Sequence, residues 1–163
     1  MTEHHVSVQR TIAAPVEDVW TVIDNTARYA EWVDGAFEVR RHHGAAVVGR
    51  TYEERNRTIG PLTTISTWTV QQVEPKALRV DTGEGFAPLK NLTSTFRFVS
   101  VDDGRATEMT YEVTFRLSLG PLGRLVGAVL SKSLAAELAR SMANLDELLR
   151  SERPLPGEGR RLS

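Results

Sequence analysis

Cysteine is absent from the 163 residues of this chain. Disulfides, thiol catalysis and cysteine-ligated zinc or iron–sulfur centres are therefore excluded, while the redox compartment is left open. An excess of either charge is also missing: 20 Lys and Arg stand against 21 Asp and Glu, for a net charge of -1 and a pI near 6.4. A nucleic-acid binder would show a basic stripe, so no nucleic-acid partner is expected. Lysine is scarce, confined to Lys76, Lys90 and Lys132. No apolar run approaches the roughly 18 residues of a spanning helix, and Met1 to Val8 lacks the charged-then-apolar pattern of a signal peptide. A cytoplasmic protein without a transmembrane segment is expected. Neither a glycine-rich phosphate loop nor a nucleophile elbow occurs, and no cofactor is expected. Nothing in the sequence indicates an oligomeric state.

What is present begins with a long helical pattern from Pro121 to Arg150. Leu122, Val126, Leu130, Leu134, Leu138, Met142, Leu145 and Leu149 recur at the helical period. Such a helix would run about 45 Å and needs an extended surface to lie on. From Ala135 onward it is amphipathic. Its first half carries Leu122, Leu125, Val126, Ala128, Val129 and Leu130 around most of the circumference, which predicts burial on several sides or a cavity beside it. Gly123 and Gly127 are expected to leave room for a neighbour or to loosen the helix.

Ahead of this helix, Val6, Val8, Arg10 and Ile12 alternate with His5, Ser7, Gln9 and Thr11, predicting a strand over 5–12. Pro15 opens a first helix with Val16, Val19, Trp20 and Ile23 on one stripe, and a second short helix carries Tyr29 and Trp32. Six further strands are predicted over 37–43, 49–58, 63–73, 78–82, 92–101 and 106–117, each bounded by turn residues. The last alternates most clearly: Met109, Tyr111, Val113, Phe115 and Leu117 face one way, Glu108, Thr110, Glu112, Thr114 and Arg116 the other. A sheet apolar on one face is covered on one side. The pattern predicts an α+β domain over residues 4–150, a curved antiparallel sheet of about seven strands wrapped around the final helix. Residues 151–163 read as a disordered tail.

This order, with Ala14-Pro15 and Val19-Trp20, then Asp24, Tyr29 and Trp32, Gly49, Val73-Glu74-Pro75 and the segment Gly120 to Leu125, resembles the START-like, or SRPBCC, superfamily of helix-grip folds. Within it the likeness is to the polyketide cyclase/dehydrase and lipid-transport group. The resemblance implies a hydrophobic ligand held between sheet and helix, with catalysis only in some members.

For such a cavity the sequence offers Val39, Tyr52, Trp68, Val70, Phe96, Phe98, Met109, Tyr111 and Val113 from the strands, and Val126, Val129, Leu130 and Leu134 from the helix. The third strand is unusually polar. Alternation turns either Tyr52, Glu54 and Asn56 or Glu53, Arg55 and Arg57 inward; the aromatic favours the first set. Inward Glu54 would need a partner or a raised pKa, which makes it a candidate polar contact or general base. Tyr52 and Tyr111 are candidates to orient a ligand carbonyl. The adjacent pairs His4-His5 and His42-His43 point to opposite strand faces and cannot chelate as units, so no metal is expected. Two functions fit: binding of a lipid, polyketide or isoprenoid for transport or sequestration, or cyclisation and dehydration of a poly-β-keto chain. A third is a partner-binding module without ligand. The first half of the long helix and the loop 83–91 are expected to form the gate.

Overall fold

The computed structural model describes residues 2–41, 44–57 and 63–153. Strand β1 (Thr2–Ile12) leads into α1 (Val16–Asp24), a 3-10 turn (Thr26–Arg28) and α2 (Tyr29–Trp32); β2 (Ala36–Arg40), β3 (Thr51–Arg57), β4 (Thr63–Glu74), β5 (Leu78–Glu84), β6 (Leu89–Val101) and β7 (Ala106–Leu117) follow. A 3-10 turn (Gly120–Leu122) then opens α3 (Gly123–Glu152). The strands form one seven-stranded sheet in the order β1-β7-β6-β5-β4-β3-β2, every pairing antiparallel. This is the helix-grip arrangement.

The alternation of β7 is realised along its length: Thr107, Met109, Tyr111, Val113, Phe115 and Leu117 are buried. Its hairpin to β6 turns on Asp102, Asp103 and Gly104, all at positive φ, a conformation that Asp and Gly tolerate best. The inner face is covered in two parts. Helix α1 buries Val16, Val19, Val22 and Ile23, with the Trp20 ring edge-on to Phe98 at 5.8 Å. Beyond it lies the second half of α3, through Leu138, Met142, Leu145 and Leu149. Polar clamps fix this half. Asp146 accepts from Arg10 and the Ala13 amide, each at 3.1 Å, while the Asp34 amide donates to Ser141 at 2.8 Å and Asn144 to the Trp32 carbonyl at 3.2 Å.

The first half of α3 departs from expectation. Leu122, in the turn that opens it, and Leu125 and Val129 are 66%, 68% and 64% exposed, not enclosed, because α2 covers only the second half and this part of the helix meets β1 along one flank. That flank is close: a Cβ built on Gly127 would stand 2.0 Å from the His4 ring. Gly127 therefore leaves room for His4, whose ring stacks on Phe115 at 5.1 Å. His5 points to the other face, 3.7 Å from Glu112. Helix α3 also takes in Ser151 and Glu152, the first two residues of the segment read as a tail; most of that segment, like His42 and His43, lies outside the described residues.

Candidate functional site

Strand β3 turns Tyr52, Glu54 and Asn56 toward the helix, and its neighbour β4 turns Thr64, Ser66 and Trp68 the same way, since Tyr52 pairs with Trp68, Glu54 with Ser66 and Asn56 with Thr64. Between these side chains, α2 and the middle of α3 lies a cavity of about 300 Å³. Its floor is aromatic, made by Tyr29, Tyr52, Phe96 and Tyr111; Phe86, Leu89, Leu92, Val113 and Leu134 form an apolar wall, and Asp34, Asn56, Arg57, Thr64 and Glu137 bring polar groups. Below the floor α1 fills the space. The opposite pole of the sheet, where β3, β5 and β7 end and β4 and β6 begin, is the side on which Phe86, Leu89 and Arg57 stand.

Glu54 is 5% exposed. The Trp68 indole Nε1 donates to its Oε2 at 2.9 Å; Oε1 has no hydrogen-bond partner among the described residues, and the residue lines the cavity. Burial pushes the Glu54 carboxyl up to about 7; the Trp68 hydrogen bond opposes the shift, Asp81 adds to it and Arg79 subtracts. Near neutral pH this group is divided between acid and carboxylate. Glu137, half-buried on α3, is also raised, by burial and then by Asp34, with Arg140 working against it.

Under the floor is a buried ion pair that sequence reasoning did not single out. On β5, Arg79 and Asp81 face inward and are fully buried. Arg79 donates through Nε and Nη2 to the two Asp81 oxygens at 3.0 and 2.7 Å and through Nη1 to the Ile23 carbonyl at 2.7 Å. The guanidinium lies over the Tyr29 ring at 4.8 Å. Tyr52 donates its hydroxyl to Asp81 Oδ2 at 2.6 Å. Burial raises the Tyr52 pKa well above the ordinary value, so its proton is committed to Asp81 and not offered to the cavity. Tyr111 is likewise held neutral by burial, with the Ser94 hydroxyl opposing. One sequence signal could have found the pair: two opposite charges at i and i+2 on a strand whose partner residues, Phe96 for Arg79 and Ser94 for Asp81, belong to the inner face.

Of the side chains selected from sequence, Tyr52, Glu54, Trp68, Phe96, Tyr111, Val113 and Leu134 come together on the cavity wall. Val70, Phe98 and Met109 share their face but are core side chains further along the strands. Val39, on the edge strand β2, and Val126 and Leu130 are partly buried against the core without reaching the wall. Val129 is in solvent, since α3 turns only its stretch from Leu134 to Ser141 toward the cavity. Tyr29, Phe86, Ser94 and Glu137 line it without having been selected.

The fold is shared with several solved structures. The Zhui aromatase/cyclase from Streptomyces sp. R1128 superposes with a TM-score of 0.78 at 14% identity, over 96% of this chain and 99% of that one. The protein TTHA0849 from Thermus thermophilus gives 0.73 at 14% identity, over 93% and 100%. Ara h 8.0201 gives 0.68 at 13% identity, over 93% and 100%. No curated protein matches in sequence. Residues 3–150 match the family of polyketide cyclases/dehydrases and lipid transport proteins, and the chain belongs to that family.

Proposed function

We propose that the protein binds a small, largely apolar and aromatic or amphipathic molecule in this cavity, with a hydrogen-bond donor of the ligand directed at Glu54 Oε1. The observation that carries this reading is the Glu54 carboxyl, buried among the aromatic rings of the wall with one oxygen bound by Trp68 and no hydrogen bond to the other among the described residues. About 300 Å³ is at the small end of ligand pockets. Among the described residues the only Lys or Arg on its wall is Arg57, exposed at the end of β3. A carboxylate placed inside would therefore meet Glu54 without a compensating cation, whereas a hydroxyl or enol would satisfy it. Native mass spectrometry of the purified protein, with titration of 2-naphthol against 2-naphthoate followed by tryptophan fluorescence, tests it. The naphthol should bind the more tightly by about tenfold; equal binding of both would remove Glu54 from recognition.

A second reading is cyclisation or dehydration of a poly-β-keto chain. It is favoured by the Glu54 carboxyl near 7, the range in which one group can both take and return a proton. The aromatic walls would hold the folded chain with an acidic C–H within reach of Oε1. On this reading Glu54→Gln lowers turnover of a cyclisable substrate by about 10² or more while changing affinity little.

A further inference from the structure

The apolar side chains that α3 and the turn opening it leave in solvent are grouped. Leu122, Leu125 and Val129, at steps of three and four, make one ridge along the helix. Leu119, 37% exposed, leads into it. Lys132, three residues past Val129, continues the same ridge, and Arg124 is exposed next to Leu125. Neither cation has an ion-pair partner among the described residues, and α3 contains no acidic residue before Glu137. The location matters too. Helix α3 leaves the end of β7, where Leu117 is paired with Thr2 on one side and Leu89 on the other. Leu89 and Phe86 are cavity-lining, so the ridge starts at the end of the sheet where that part of the cavity wall stands.

We propose that this ridge is a membrane-docking surface: the N-terminal half of α3 lies on an anionic lipid surface, with Leu122, Leu125 and Val129 inserted among the headgroups and Arg124 and Lys132 set against their phosphates. Interfacial helices combine an apolar face with flanking cations, and the acid-free stretch from Gly123 to Ala136 has both. A second copy of the chain suits the ridge less well. A stable dimer buries about 800 Å² per partner, well beyond what these few side chains offer, and pairing two such ridges would bring four unpaired cations together. Docking here is independent of which molecule the cavity holds.

The test is flotation of the full chain with vesicles of phosphatidylcholine alone and of phosphatidylcholine mixed with phosphatidylglycerol, at low and high salt. Binding is expected to the mixed vesicles and to fall with salt. Leu125→Glu combined with Val129→Glu should weaken it by about tenfold or more, and Arg124→Ser combined with Lys132→Ser by a similar factor, since each cation near an anionic surface contributes a few-fold. All four positions are exposed, and circular dichroism with a melting curve checks that the fold is kept; should the double glutamate variant fail it, Leu125→Ser with Val129→Ser is read in its place. No binding by the wild type, or binding unchanged in the ridge variants, overturns the proposal. Self-association of the wild type in light scattering, abolished by Leu125→Glu, would assign the ridge to a second copy and overturn it equally.

Discussion

Trp68 and Glu54, diagonal neighbours on adjacent strands, are joined by the indole N–H to Oε2 hydrogen bond of 2.9 Å. The bond favours the ionised carboxyl, against the burial that disfavours it. Trp68→Phe keeps an aromatic ring and removes the donor. The Glu54 pKa should then rise by a further unit or so, because a hydrogen bond to a charged group contributes roughly 1.5–3 kcal/mol. Carbon-detected NMR titration of the Glu54 carboxyl would follow it; an unchanged midpoint would show that the bond has no such influence.

Stability should carry the same signature. The Glu54 carboxyl binds its proton more tightly folded, at about 7, than at the ordinary 4.5. Between those values the folded state holds a proton that the unfolded state has lost, so stability declines as pH rises from about 4.5 to 7 and levels off above. The size is about 3 kcal/mol. Glu137 is shifted in the same direction, so the useful quantity is the difference between wild type and Glu54→Gln. In urea unfolding the wild type should lose stability relative to Glu54→Gln between pH 5 and pH 8. Parallel pH profiles would contradict this.

The Arg79–Asp81 pair predicts an asymmetric mutational response. Arg79→Met leaves Asp81 charged in a buried site and should cost about 3–5 kcal/mol. Arg79→Met together with Asp81→Leu removes both charges and should recover a good part of that loss. Chemical unfolding of the two single variants and the double variant gives the coupling energy directly; additive losses would mean that the pair acts as two independent residues.

Gly127→Ala places a methyl group 2.0 Å from the His4 ring. We expect a loss of about 1–3 kcal/mol from overpacking, even though alanine is the better helix former. His4→Ala in the same chain should relieve it. If the single substitution stabilises the protein, the close approach of α3 to β1 is wrong.

The fold was legible because its signals are local and repeated. Period-two alternation in 106–117, the helical spacing from Leu122 to Leu149 and the turn at Asp102-Asp103-Gly104 each specify an element without reference to the rest. The inward face of β3 was also readable, from Tyr52. Depth was not. Val70, Phe98 and Met109 have the same periodicity as Trp68, Phe96 and Tyr111, and only the position of α1 decides which of them touch open space. Exposure of Leu122, Leu125 and Val129 escaped for a related reason: an apolar residue in a helix pattern reads as core, and sequence does not say where the covering elements stop. Arg79 and Asp81 were hidden by charge itself, which in a strand ordinarily marks the wet face.

The aromatic floor has a consequence for the size of molecule that can be held. Phe96 and Leu92 lie on one strand four residues apart, about 13 Å, and beneath Phe96 the space is closed by Trp20 against Phe98. On the proposed binding role, cavity depth is thus a measuring stick read from below: a compact ring system would be taken in whole, while a long acyl chain would have to keep one end outside. Substitutions on the floor, Phe96→Ala first among them, are the changes that should lengthen the scale.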